Sequence, residues 1–166
     1  MRLGKDERGI TLVEMVVVIA ILGILVALAW PNLVVAINKY RLYTSARTVA
    51  SDIRLVQQKA ISEEDNGYNL LFDTDNDVYY IRLGTEKTKT GRVDPNVDIV
   101  SAVFGSDDAV EADGFPKNRK LFFSRNGTPV LPSGNGTVTL QNRVGQRYYV
   151  DVALNTGRVR VTPTLP

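Results

Sequence analysis

From Met15 to Trp30 every residue is apolar or glycine, and no later stretch of the chain is apolar for so long. Ile10 to Trp30 is 21 residues, and a helix rising ~1.5 Å per residue crosses the hydrocarbon core of a bilayer with ~20 of them. Pro31 follows directly, and then no Pro or Gly occurs from Asn32 to Ser62. Over that interval Ala36, Tyr40, Tyr43, Ala46, Ala50, Ile53 and Ala60 recur at mostly three- and four-residue steps, while Lys39, Arg41, Arg47, Arg54 and Lys59 lie off the stripe. The pattern predicts that the helix continues past the proline as an amphipathic half whose apolar face, Tyr40 and Tyr43 included, packs on a sheet. Gly67 is the predicted helix stop.

Beyond Gly67 the period changes from 3.6 to 2. Strands are predicted at Tyr68 to Phe72, Val78 to Leu83, Val97 to Phe104, Arg119 to Arg125, Gly136 to Arg143, Arg147 to Leu154 and Arg158 to Thr162. The breaks between the later ones are short turn signals such as Asn126-Gly127 and Asn155-Thr156-Gly157, so antiparallel neighbours are expected. Residues 84–96 and 105–116 read as exposed loops. Asp73, Asp75 and Asp77 resemble the start of a calcium loop, but Val78 and Gly84 stand where that loop needs Gly and Glu, so a hairpin turn is predicted. The fold class is α+β: one long N-terminal helix packed on antiparallel sheets.

The apolar run contains one anomaly. Glu14 sits inside it, behind a charged head of Arg2, Lys5, Asp6, Glu7 and Arg8. A carboxylate at membrane depth costs roughly 2.5–3.5 kcal/mol on insertion scales and marks a function by default. A secretory signal peptide is a poor fit, because the run is long and ends in Leu28-Ala29-Trp30-Pro31 rather than a small-x-small site. A plain anchor fits the length and leaves Glu14 unexplained. The basic head would stay in the cytoplasm.

Gly9-Ile10-Thr11-Leu12-Val13-Glu14-Met15 resembles the prepilin signature of type IV pilins and pseudopilins. The resemblance implies that a prepilin peptidase removes residues 1–9 by cutting between Gly9 and Ile10, that Ile10 is then N-methylated, and that Glu14 guides assembly. Most members have Phe where this chain has Ile10. The implied organisation is a leader at 1–9, a transmembrane and assembly half at 10–31, an amphipathic half at 32–66 and a β domain at 67–166. In physical terms, the amine freed at Ile10 is a positive charge that Glu14 of a neighbouring subunit can neutralise.

Composition narrows the chemistry. The chain has no Cys and no His, so it forms no disulfide, thiol nucleophile, His general base or Cys/His zinc site. No metal or cofactor is expected, and no enzyme. The formal net charge is +2, but it is unevenly spread: residues 63–113 carry 13 acidic and 4 basic side chains, residues 115–166 carry 1 and 8. Either the two halves neutralise each other, within the fold or between subunits, or an oriented surface meets a partner.

The C-terminal third carries a second resemblance. Leu121 to Gly127, Gly136 to Leu140, Tyr149 to Val152 and Gly157-Arg158-Val159-Arg160, in that order, are similar to the GspH/FimT-type minor pseudopilin domain. This implies a place at or near the tip of a pseudopilus or pilus, with other pilin subunits, the prepilin peptidase and an inner-membrane assembly platform as partners. The globular domain would lie outside the membrane. In the FimT-like branch a Gly-Arg-x-Arg motif is associated with DNA binding, which maps here to Gly157, Arg158 and Arg160. Arg158 and Arg160 point to one face of a strand and Val159 and Val161 to the other, with Arg143 and Arg147 on the preceding hairpin as further candidates. The alternative reading is structural: Gly157 supplies a turn and the arginines meet acidic faces of neighbours. No aromatic platform accompanies them in sequence, which disfavours single-stranded nucleic acid.

Overall fold

The computed structural model describes residues 11–111, 114–130, 136–153 and 155–163. Gly9 and Ile10 lie outside the described residues. These form two compact units, one ending at Ile37 and the other beginning at Asn38.

Helix α1 is Leu12–Ser62, with Pro31 inside it. At its start the Thr11 hydroxyl oxygen accepts the Glu14 N–H at 3.2 Å. Thr11 is thus the N-cap and Glu14 the third helical residue, the spacing of a capping box. Every residue from Thr11 to Ile37 is exposed. In this first unit the apolar surface has no protein cover.

The second unit is built around a stripe of α1 that keeps Ala46, Ala50, Ile53 and Ala60 of the one read in the sequence, adds Leu42, Val49 and Val56, and leaves out Tyr40 and Tyr43. Leu42, Val49 and Val56 recur at sevens, as do Ala46, Ile53 and Ala60, and all six are fully buried. Tyr40 is 69 % exposed and Tyr43 38 %, so neither belongs to the core. The buried face also includes two polar residues, Ser45 and Asp52, again seven apart.

The helix ends earlier than expected, and Gly67 is not its stop. Glu64 takes a left-handed conformation at φ 51°. The N–H of Glu64 bonds Ile61 O and that of Asp65 bonds Ala60 O. These two bonds form a Schellman motif with Glu64 where glycine is usual.

Among the described residues nine strands follow: β1 (Tyr68–Asp73), β2 (Val78–Leu83), β3 (Glu86–Arg92), β4 (Val97–Val103), β5 (Lys120–Phe123), β6 (Pro129–Val130), β7 (Gly136–Asn142), β8 (Arg147–Val152) and β9 (Val159–Thr162). They form a five-stranded sheet in the order β3-β2-β1-β5-β6 and a four-stranded sheet in the order β4-β7-β8-β9, with every pairing antiparallel. Leu70, Phe72, Ile81, Leu121 and Phe123 from the first sheet and Ile99, Val138, Leu140, Val150 and Val152 from the second share one core with the helix stripe. The architecture is the expected α+β one.

Two strands were not expected. β3 falls in the stretch read as a loop. It is an edge strand whose side chains, apart from Gly91, are exposed, so no apolar alternation marks it. β6 is only a two-residue edge strand. The Asp73–Asp77 hairpin is as expected: the Asp73 carboxylate accepts the N–H groups of Asp75 and Asn76, each at 3.2 Å, and Asp77 supplies positive φ at 53°. The Asp77 carboxylate reaches further and takes the Ile99 N–H of β4 at 2.7 Å, tying one sheet to the other.

Asp52 pins β2 and β3 to the helix. Its carboxylate accepts the Tyr79 hydroxyl at 2.7 Å and the Lys89 ammonium at 2.9 Å. Burial, then the bond to Asp52, pushes the Tyr79 phenol well above its ordinary value. Gly91 makes room for the ring: a Cβ there would lie 2.1 Å from Tyr79 Cζ. Because Tyr79 is fully buried, the ring cannot yield.

Two outcomes follow for the full chain in detergent. Gly91→Ala lowers unfolding stability by about 1–3 kcal/mol, as overpacking does, read as a shift in the urea midpoint. The folded state holds the Tyr79 proton more tightly than the unfolded one, so stability present below pH 10, the ordinary value, is lost as pH rises above it. That alkaline fall is shallower in Tyr79→Phe, measured as midpoint against pH.

Candidate functional site

The sequence points to two places, the helix start and the C-terminal arginines. At the start, Glu14 is exposed within the first turn of α1. A negative charge there is favoured by the helix dipole and by the uncapped N–H groups. The cap explains why the helix begins where it does. It leaves the Glu14 carboxylate on the surface, with no partner within the chain among the described residues.

At the other end, register decides which arginines can act together. Tyr149 pairs with Thr162 and Val152 with Val159. Arg158 therefore sits beside Ala153, whose N–H bonds Arg158 O at 3.0 Å. Arg147 is six residues back along β8, roughly 20 Å away at ~3.4 Å per residue. Arg143 and Arg147 belong to the opposite end of the sheet, where Arg143 donates to Pro95 O at 3.4 Å and Arg147 to the Gln141 side chain at 2.6 Å. They are not brought to Arg158 and Arg160.

The fold supplies other cations instead. Arg47 and Arg54 of α1 line a cleft of about 290 Å³ together with Tyr43, Ala50, Val159, Arg160 and Val161. Arg54 donates to Val159 O at 2.9 Å. Arg47 donates to the Tyr43 hydroxyl at 3.0 Å and lies 5.4 Å from its ring centre. Tyr43 in turn packs edge-on to Tyr148, 5.8 Å between centroids. One aromatic thus accompanies the arginines, contributed by the helix. No local sequence signal could reveal this, since Tyr43 and Arg160 are more than a hundred positions apart.

The uneven charge is partly cancelled inside the fold. Lys117 pairs with Asp107 at 3.2 Å, Arg119 with Asp75 at 4.0 Å, and Lys120 with Glu111. A backbone N–H from Ala109, then the bond from Lys117, holds the Asp107 carboxyl below its ordinary range. These pairs absorb the basic residues nearest the acidic loop. Among the described residues no carboxylate lies within ion-pair distance of Arg47, Arg54, Arg158 or Arg160.

Gly157 has a structural duty of its own. It adopts φ +62° and a Cβ on it would lie 2.3 Å from Gln57 Nε2 and 2.7 Å from Gly127 O. Gln57 donates to Gly127 O at 2.7 Å. One helix side chain is thereby clasped between the β5–β6 turn and the β8–β9 turn. Neither glycine has room for a side chain. The groups of carboxylates read in the sequence as turns and loops gather no metal-binding cluster among the described residues.

Comparison with known proteins agrees with this architecture. Residues 4–30 match the family described as the prokaryotic N-terminal methylation motif. No curated protein matches the sequence. The fold is similar to the type IV minor pilin FimU of Pseudomonas aeruginosa, at 14 % identity over 75 % of this chain and 90 % of that one, with a TM-score of 0.53. It is equally similar to EpsH, the minor pseudopilin of the Type 2 Secretion System of Vibrio cholerae, at 14 % identity over 74 % of this chain and 96 % of that one, with a TM-score of 0.52. The chain thus joins a match to the methylation motif at residues 4–30 to a fold similar to that of a minor pilin and a minor pseudopilin.

Gly157→Ala forces a positive-φ residue against Gln57 and the Gly127 carbonyl. It lowers stability by about 1–3 kcal/mol, whereas Arg158→Ala beside it changes stability by no more than about 0.5 kcal/mol. Thermal melts of the two variants in the same detergent make the comparison.

Proposed function

We propose that this chain is a structural subunit of a type IV pilin-like filament, of the minor pilin or minor pseudopilin kind, serving a type IV pilus or a type II secretion system. The observation that carries this reading is the joining, in one chain, of a methylation motif at residues 4–30 to a fold shared with a minor pilin and a minor pseudopilin. The first unit supports it, because a wholly exposed apolar helix needs lipid before assembly and other helices after it.

In this reading the peptidase cuts between Gly9 and Ile10 on the cytoplasmic side, and Ile10 is methylated. The chain waits in the inner membrane with its β domain outside until an assembly platform extracts it. The new amine at Ile10 and Glu14 of an adjoining subunit neutralise each other in the dry filament core. Neither charge is tolerable there alone, since breaking a buried pair costs ~3–5 kcal/mol. The pair fixes the axial position of each helix, and a site at or near the filament tip fits a minor subunit.

A second reading, DNA capture during uptake, draws on the exposed Arg158 and Arg160, which form no ion pair among the described residues. Arginine grips phosphate through two parallel hydrogen bonds without reading sequence, and affinity falls steeply with salt. The footprint is small, since Arg143 and Arg147 lie elsewhere.

Co-expression with a prepilin peptidase gives a product lacking residues 1–9 and methylated on Ile10 by mass spectrometry. Glu14→Ala is still inserted and cleaved, but its recovery in sheared filaments drops by roughly 100-fold or more, the equivalent of ~3 kcal/mol. Wild-type recovery of Glu14→Ala sinks the pairing role; an uncut wild-type chain sinks the filament reading itself. For the second reading, duplex DNA binding at low salt is lost in Arg158→Ala plus Arg160→Ala.

A further inference from the structure

β9 is the outer strand of the second sheet, and its pairing leaves one side open. The Ala153 N–H bond to Arg158 O marks a hydrogen-bonded pair. Alternate residues then follow: Arg160 and Thr162 aim their backbone groups at β8, and Val159 and Val161 aim theirs outward. Among the described residues one group meets that outward edge, the Arg54 guanidinium on Val159 O. The open edge forms one wall of the 290 Å³ cleft, and Tyr43, Arg47, Ala50 and Arg54 of α1 form the other.

We infer that this cleft is a docking site for an extended acidic polypeptide segment of another chain, which adds to β9 as an extra strand. The edge supplies the outward N–H and C=O groups of Val159 and Val161, the backbone template that strand addition requires. Residues of an incoming strand opposite Val159 and Val161 face the helix side of the sheet. Arg47 and Arg54 line that side, seven residues or ~10 Å apart along α1. Carboxylates on alternate residues of a strand are ~7 Å apart, and two long arginine side chains take up the difference. Arg160 serves the residues of the other face.

Arg54 acts as a place-holder. It spends its charge on a neutral carbonyl, although a charge-assisted bond to a carboxylate is about twice as strong. An arriving acidic strand takes the guanidinium from Val159 O and gives that carbonyl a backbone N–H in exchange. Among the described residues Arg47, Arg54 and Arg160 form no ion pair, and the carboxylate across from Arg160, that of Asp151, accepts the Thr137 and Thr162 hydroxyls instead; in a fold that pairs Lys117, Arg119 and Lys120 internally, this assigns the occupant its charge. A duplex nucleic acid satisfies the arginines and has nothing to offer the amide edge. The inference rests on the cleft alone and stands whether or not the chain enters a filament.

The test uses the full chain in detergent micelles and the fluorescence anisotropy of short labelled peptides. A peptide of alternating Thr and Glu binds, and the matched Thr and Lys peptide does not. N-methylation of alternate amides, which removes the strand's donors and keeps its charge, abolishes binding. Arg47→Glu weakens the acidic peptide by about tenfold or more. Arg47 touches only Tyr43 among its hydrogen-bond partners, so the variant folds, as an unchanged melting temperature shows. Arg158→Ala, outside the cleft, leaves the affinity within about twofold. Failure of the acidic peptide to bind, equal binding of its N-methylated form, or duplex DNA binding that competes with the peptide and is lost in Arg47→Glu overturns the inference.

Discussion

Leu42, Val49 and Val56 on α1, with Ala46, Ile53 and Ala60 beside them, are covered from two sides, and both sheets depend on that cover. Neither sheet is closed, and each buries its inner face only by meeting the helix and the other sheet. The small residues set the approach. Ala46, Ala50 and Ala60 let strands come close, and Gly91, Gly127 and Gly157 are bare where Tyr79, Ile61 and Gln57 press on them. Polar residues enter this contact only in satisfied form. Asp52 is held by Tyr79 and Lys89, and the Ser45 hydroxyl oxygen accepts the Asp94 N–H where the chain passes from β3 to β4. Burying such groups unpaired costs more than it returns, so each serves as a locating pin between helix and sheet.

How much of this was legible follows from how local each signal is. The long apolar run, the prepilin-like heptapeptide, the Asp-rich hairpin and the paired strands of the C-terminal third are short-range patterns, and they read correctly. The core stripe of the helix is legible at Ala46, Ala50, Ile53 and Ala60 and misleading at its start, where counting tyrosine as apolar includes Tyr40 and Tyr43, which are surface residues, and passes over the sevenfold recurrence of Leu42, Val49 and Val56. The helix stop was given to Gly67 because glycine favours positive φ, yet Glu64 takes that conformation. β3 was invisible, since an edge strand with both faces wet has no alternation to show. Its one signature is the alternation of Lys87 and Lys89 with Thr88 and Thr90.

The candidate sites divide in the same way. Glu14 stands out in the sequence because a carboxylate in an apolar run is anomalous within a few residues. The bond from its backbone N–H to the Thr11 hydroxyl oxygen is equally local, since a threonine three residues earlier is a helix-start signal. The arginine site was legible only in part. Gly157, Arg158 and Arg160 form a sequence motif, but which cations join them depends on register, and register sends Arg143 and Arg147 to the far end of the sheet. Arg47, Arg54 and Tyr43 arrive from a helix distant in sequence, and charge alone could not distinguish them from any solvated helix face.

The bond from Arg54 to Val159 spans 105 positions. A ribosome delivers α1 first and β9 last, so the side of the helix stripe that the second sheet covers waits for nearly the whole chain. Contacts so distant in sequence are formed late and slowly. Until β8 and β9 close, the core that α1 shares with the first sheet stays open on the side where Val150, Val152 and Val159 belong. The last hairpin to be made is therefore the one that seals the second unit, and a chain cut short before β9 would leave Val150 and Val152 without their neighbours.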